Sequence, residues 1–280
     1  METLTIDDKQ SQGAEATAKN LSRRRTKRAH RTGKVRLAQA LIVIGFLALW
    51  EYSSGRWVDD LLVSRPSAVF PELWSWIVNG ELFYHAASTF KDSALGLLLG
   101  GLAGLTVGCI LGQSAKLAVV FEPFITALYT MPKHALIPLF IMWVGINSEL
   151  RVLTSSTIVF FLIFNNTFFG IRDVSPALVS SVRIMGGSSA DVLFRVSLPS
   201  ALIWVVAAMK LAVPQAIVGV VVAEMLAGDR GLGFLVAMNA GTFNTAGTFA
   251  AIVALLVVGF IVDRVVGLVT RRALSWKTVV

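Results

Sequence analysis

Four ionisable side chains stand inside long apolar stretches of this sequence: Lys133, His134, Lys210 and Glu224. A charge in hydrocarbon costs about 2.5–3.5 kcal/mol even on insertion scales, so such residues usually face a water-filled cavity or a partner. Lys133 or Lys210 could form an electropositive pathway for an anion. The alternative is that Lys210 snorkels to the headgroups and Glu224 sits at the outer interface. None belongs to a catalytic constellation, and no catalytic residue is assigned. The chain has no G-x-x-x-x-G-K-[ST] phosphate loop and is not expected to bind ATP itself. H-E-x-x-H and G-x-S-x-G are also missing. Three scattered histidines and the single Cys109 offer no metal site and no internal disulfide. The chemistry on offer is transport, with no metal or cofactor expected.

The elements that hold these residues are membrane helices. Of 280 residues, 55% are hydrophobic and 15% charged, with a mean hydropathy of +0.71. A soluble domain carries about 25% charged residues. Ser93–Ala115, Val152–Ile171 and Gly231–Val262 contain no Asp, Glu, Lys or Arg, and about 20 apolar residues cross a bilayer core. The +8 net charge is concentrated in residues 1–36, which alone contribute +6. No aromatic residue interleaves with that basic run, so a nucleic-acid partner is unsupported. The expected architecture is all-α and polytopic.

Residues 1–36 read as a disordered basic tail, ending in the run Arg23 to Arg36 that would anchor the following helix on the cytoplasmic side. The apolar body, 37–270, divides into about six spans: 37–52, 90–112, 118–145, 152–171, 198–225 and 248–268. Residues 53–85 would form an external segment with a short amphipathic helix. Residues 227–247 read as a Gly/Asn/Thr-rich connection. The second span places Gly96, Gly100, Gly104, Gly108 and Gly112 on nearly one helix face, the pattern of close helix packing in lipid. Pro123, Pro132 and Pro138 should break the third. Both ends, including a short tail 271–280, then fall on one side. The excess of Lys and Arg makes that side cytoplasmic, with Arg56, Arg65, Arg151 and Arg230 opposite.

The 172–199 segment is the most informative. Pro176 suits a helix start, Gly186-Gly187 breaks the helix, and Ser188, Ser189 or Asp191 can cap a second short one. Apolar on one face and basic at Arg183 and Arg195, it could dock in a groove of a soluble partner or lie on the lipid surface.

This segment resembles the EAA loop of ABC importer permeases, with the pattern E-A-A, three residues, Gly, nine residues, Ile, one residue, Leu-Pro. Gly186 aligns with the glycine, Val196 with the isoleucine, and Leu198-Pro199 with Leu-Pro. The departure is Ser180-Ser181-Val182 in place of E-A-A. Met131–Ile146, Val220–Val236 and Ser64–Trp74 resemble, in order, motifs of the nitrate/sulfonate/taurine branch. The resemblance covers about residues 64–270.

It implies a type I ABC importer permease fold in the bacterial inner membrane. Ser180 to Arg183, Gly186, Val196, Leu198 and Pro199 would couple to two cytoplasmic ATP-binding subunits. A second permease subunit, making a homodimer, and an extracytoplasmic substrate-binding protein would complete the importer. The implied solute is a small anion of sulfonate, taurine or nitrate type. Alternatives are a thiamine or riboflavin precursor permease, or an ion-coupled secondary transporter, against which no repeat relates the two halves.

Overall fold

The computed structural model describes residues 35, 37–60 and 62–273. The basic tail 1–34 with Arg36, and the end segment from 274 with Lys277, lie outside the described residues.

The first of two compact units spans Met1–Ser67. Its helix α1 (Leu37–Ser53) is apolar and exposed over most of its length, as Leu41, Ile42 and Phe46 illustrate. In the turn after α1, Ser54 donates to Asp60 at 2.7 Å and Arg65 pairs with the same carboxylate. These bonds, Ser54's foremost, hold the Asp60 carboxyl below its ordinary range.

The second unit, Ala68–Val280, carries the remaining helices apart from the first residues of α2 (Pro66–Val78). Then come α3 (Glu81–Gln113), α4 (Ala115–Thr130), a 3-10 turn (Lys133–Leu136), α5 (Ile137–Val144) and α6 (Ser148–Arg172). They are followed by α7 (Pro176–Ile184), α8 (Ser189–Val192), a π-helical turn (Leu193–Ser197), α9 (Leu198–Ala227), α10 (Leu232–Gly241) and α11 (Thr245–Ala273). No regular strand forms among the described residues. Among the described residues, four stretches are long and apolar enough to span a membrane, a bent pair makes a fifth, and α1 is shorter. With α1 these account for the six apolar segments of the sequence.

Two local outcomes differ from the sequence reading. The three prolines of the third segment do not act alike. Pro123 stays inside α4, and Pro138 falls in the first turn of α5, where no donor is required. The break comes at Met131-Pro132, where α4 and the following helical stretch meet at 85°. The 227–247 connection is also not a bare loop. Leu232, Leu235 and Val236, spaced as one helical face, are buried and draw it into α10.

The core is built from α3, α6 and α9, each packed against the other two. On α3 the buried residues are His85, Thr89, Asp92, Ser93 and the five glycines Gly96 to Gly112. The glycine faces meet α6 backbone to backbone. A Cβ on Gly100 would lie 2.3 Å from the Ser156 carbonyl oxygen, and one on Gly104 would lie 2.7 Å from that of Phe160. On a neighbouring face of α6, α9 presents Ala208, Ala212, Ala216 and Gly219, all buried. Val159 and Ile163 fill the seam, and Ser155 of α6 donates to the Ala216 carbonyl at 3.1 Å. By contrast α11 keeps Leu256, Phe260 and Ile261 exposed.

Adjacent glycines give a direct test of this packing. Gly100→Ala must push α3 off α6 and is expected to lower the melting temperature of the detergent-solubilised protein by several degrees. Gly101→Ala meets nothing within 4 Å and should leave it unchanged or raise it slightly, since alanine favours helix by about 0.5–1 kcal/mol.

Candidate functional site

Three places carry functional groups. At one end of the bundle, α7 and α8 form a tightly specified hairpin. α7 ends in a Schellman motif: Gly187 N–H donates to the Val182 carbonyl at 2.9 Å and Gly186 N–H to that of Arg183 at 3.0 Å. Gly186 holds φ +84°, the left-handed region glycine tolerates best. Gly187 is constrained by space, since a Cβ there would lie 2.5 Å from Val182 Cγ1. α8 opens with a capping box. Ser188 Oγ accepts from Asp191 N–H at 3.2 Å, and Asp191 Oδ2 accepts from Ser188 N–H at 2.9 Å. Arg195 pairs with Asp191 at 3.2 Å. The turn leaves Ile184 86% and Met185 78% exposed, with Ser180, Ser181, Arg183, Gly186 and Pro199 also exposed. Val182, Val196 and Leu198 are half-buried. A one-turn π-helix joins this hairpin to α9.

At the other end a buried polar network ties α3, α6, α9 and the start of α10 together. Arg151, 1% exposed, donates from Nε to Asp92 at 2.6 Å and from Nη1 to Asp229 at 3.0 Å. Ser148 also donates to Asp92 at 2.6 Å. Glu224, equally buried, accepts from Thr89 Oγ1 at 2.8 Å and from Gly233 N–H at 2.8 Å. Thr89 in turn accepts from Leu232 N–H at 2.9 Å, and His85 Nδ1 from Gly231 N–H at 2.9 Å. The first amides of α10, otherwise unpartnered at a helix start, are thus capped by side chains of α3 and α9. Gly231 has φ +111°, and a Cβ there would sit 2.0 Å from Glu224 Oε1. The carboxylate occupies the space a side chain would need.

The four ionisable residues singled out in the sequence are not brought together. Glu224 belongs to this buried network. His134 and Lys210 are exposed. Lys133 lies over the rings of Tyr129 at 4.9 Å and Phe161 at 5.3 Å, with Nζ also hydrogen-bonded to the Tyr129 carbonyl. Among the described residues no carboxylate pairs with it. Close by, Thr126, Tyr129, Asn165, Asn166, Phe169 and Trp204 line a cavity of about 490 Å³ between α4, α6 and α9.

Sequence reasoning missed Asp92, Thr89 and His85, and counted Arg151 only as a basic residue of the side opposite the termini. The signal was present in the spacing. Asp92 continues the four-residue period of the glycine ridge, and positions 85, 89 and 93 run beside it at the same spacing, one residue out of register. The face that packs inward therefore carries small and polar residues throughout, the inverse of a soluble helix. Asn165 and Trp204 carried no comparable signal.

Arg151→Ala would leave Asp92 buried and unpaired, at an expected cost of about 3–5 kcal/mol. Loss of folded protein on size-exclusion chromatography would report it, and adding Asp92→Ala should recover a substantial part. Equal loss in the single and double variants would contradict the pairing.

Residues 81–275 match the family model described as "binding-protein-dependent transport system inner membrane component". A protein of Bacillus subtilis (strain 168), named as an aliphatic sulfonates transport permease, is 33% identical over 82% of this chain and 84% of its own. One of the same name from Escherichia coli (strain K12) is 30% identical over 87% and 93%. Among solved structures, the inward-facing MetNI methionine ABC transporter matches with a TM-score of 0.57 at 18% identity, over 66% of this chain and 92% of that one. That likeness concerns the fold.

Proposed function

The chain belongs to the binding-protein-dependent transport system inner membrane component family, and from this premise we propose that it is one half of the pore of an ATP-driven importer for a small organic anion. As a multi-pass ABC permease it works with ATP-binding subunits and a substrate-binding protein. The finer reading is a homodimer in the bacterial inner membrane, with both termini cytoplasmic and two ATPase subunits, one on each α7–α8 hairpin.

The hairpin is the observation that carries this reading. A solvent-facing segment of this length would ordinarily be loosely held. Here a Schellman motif, a capping box and an ion pair rigidify it while exposing Ile184, Met185 and Arg183. Stiff scaffolding under exposed apolar side chains suits a surface that fits a groove and transmits force. Closure of the ATPases would move the hairpin and, through the π-turn and α9, rock the spans between inward- and outward-facing states. A π-turn at that junction supplies a compliant point in an otherwise continuous helix. Ser180-Ser181-Val182 stand where relatives of this family carry E-A-A, so docking here relies on the remaining hairpin surface.

The solute assignment is supported by relatives named for aliphatic sulfonates and by Lys133, a cation held against aromatic rings with no carboxylate partner among the described residues. Lys133 would then attract the anion within the pore; His134 and Lys210, both exposed, would be secondary.

Two outcomes test the reading. Gly186→Val, which forces a branched side chain into a left-handed backbone at about 1–2 kcal/mol, should sharply reduce co-purification of the ATPase subunit while membrane insertion is retained. Undiminished co-purification would remove the hairpin as the docking surface. In a deletion strain growing on alkanesulfonates as sulfur source, Lys133→Ala should abolish uptake at unchanged protein level; normal uptake would remove Lys133 from the path.

A further inference from the structure

The turn between α10 and α11 is held more firmly than a surface loop requires. Asn239, buried on α10, donates from Nδ2 to the Leu235 carbonyl at 2.8 Å, and its Oδ1 accepts from Asn244 Nδ2 at 2.9 Å. Asn244 N–H donates to the Asn239 carbonyl at 2.9 Å, and Asn244 Oδ1 accepts from Gly247 N–H at 3.0 Å, capping α11. No room is left at Gly247, where a Cβ would lie 2.1 Å from Asn239 Oδ1. Between these fixed points Phe243 has φ +58°, the one positive value at a non-glycine among the described residues. A bulky residue is strained in that region, and this one is also 80% exposed. The turn thus presents an aromatic ring to the surroundings in a conformation that glycine would adopt more readily.

This turn lies at the bundle end opposite the α7–α8 hairpin. α9 starts beside the hairpin and α11 is the next span, so the connection between them falls at the far end. α10 begins level with Val221, whose carbonyl oxygen would be 2.3 Å from a Cβ on Gly233. It packs along α11, to which the turn joins it antiparallel, and so runs outward. Phe243 is ten residues past Gly233, about 15 Å, whereas α9 ends six residues past Val221, about 9 Å. The ring therefore stands beyond the end of α9, at the end of the bundle where Asp229 is exposed.

We propose that Phe243 is the anchor by which this chain grips the extracytoplasmic binding protein, a reading that rests on the importer function above. The ring would enter an apolar pocket on that protein's surface. Aromatic anchors dominate such interfaces, and a rigid support leaves little conformational freedom to be lost on docking. Gly241, Thr242 and Asn244 flank the ring, all exposed, short and uncharged, with Met238 also exposed on α10. A pocket can close around it without desolvating a charge. The family depends on a binding protein, and the position favours that partner over two others. A second copy in the same membrane ends its helices at the same height and offers no surface above a projecting tip. Lipid tails do not reach past the helix ends.

The test replaces Phe243 by photoreactive benzoylphenylalanine in growing cells, with Leu256, exposed on α11, as the membrane-facing comparison. After irradiation, position 243 and not 256 should give an adduct of the full chain with a soluble solute-binding protein, identified by mass spectrometry. An adduct with a second copy, with lipid alone or with nothing overturns the anchor. The binding protein identified in this way is then purified, and its affinity is measured for the full complex in nanodiscs. Phe243→Gly, which suits the backbone, should keep or raise the melting temperature yet weaken that affinity by about tenfold or more. A lowered melting temperature would mark the ring as structural and overturn the proposal. Undiminished affinity with the ATPase subunits still bound overturns the anchor and leaves the importer standing. A wild-type chain that binds this protein with the expected dependence on Phe243 but captures no ATPase subunit supports the anchor and overturns the importer.

Discussion

Because lipid tails are as apolar as the side chains they surround, helices in a bilayer gain little from burying leucine against leucine. Their cohesion comes from close packing and from polar contacts between them. The approach of α3 to α6 is the interaction on which this structure depends. Five glycines at four-residue spacing let the two backbones come so near that a single added methyl would strike a carbonyl oxygen at Gly100 or Gly104. The alanine face of α9 repeats the device on a neighbouring face of α6. With α6 clamped between two small-residue ridges, both of its ends become fixed platforms.

Each platform is used differently. At the His85 end, the clamp brings Asp92 to Arg151 and Thr89 to Glu224, and the resulting network caps the first amides of α10. A buried ion pair is a poor source of net stability, because desolvation offsets most of the Coulomb gain. Its value here is specificity. Only one register of α3 against α6 pairs Asp92 with Arg151, so a slip along the uniform glycine ridge would strand both. The ridge supplies proximity and the charges supply register.

At the other end, packing leaves room. α4 breaks at Met131-Pro132, and Thr126, Tyr129, Asn166, Phe169 and Trp204 line an open, largely apolar groove between α4, α6 and α9. The same end carries the rigid α7–α8 hairpin, joined to α9 through the π-turn. Trp204 lies on the first two turns of α9. A displacement of the hairpin would therefore reach Trp204 by a short route along α9.

Much of this was legible in the residues themselves. Apolar stretches without charge determined the spans, and the four-residue glycine period determined a packing face. Gly186-Gly187 followed by Ser188 and Asp191 determined a helix break and a cap, because those signals are local. The role of Glu224 was not legible. Whether a carboxylate near a helix end meets water or a buried hydroxyl depends on which residue lies across from it, and Thr89 is 135 positions away. The same holds for Arg151, which reads as an ordinary flanking charge until α3 brings Asp92 to it. The conversion of the 227–247 connection into α10 also required a tertiary partner, since its capping groups come from α3 and α9. Sequence alone determined what each helix is made of; the tertiary structure decided which polar groups answer one another, because pairing energies inside a membrane are set by distance across helices and not by position along them.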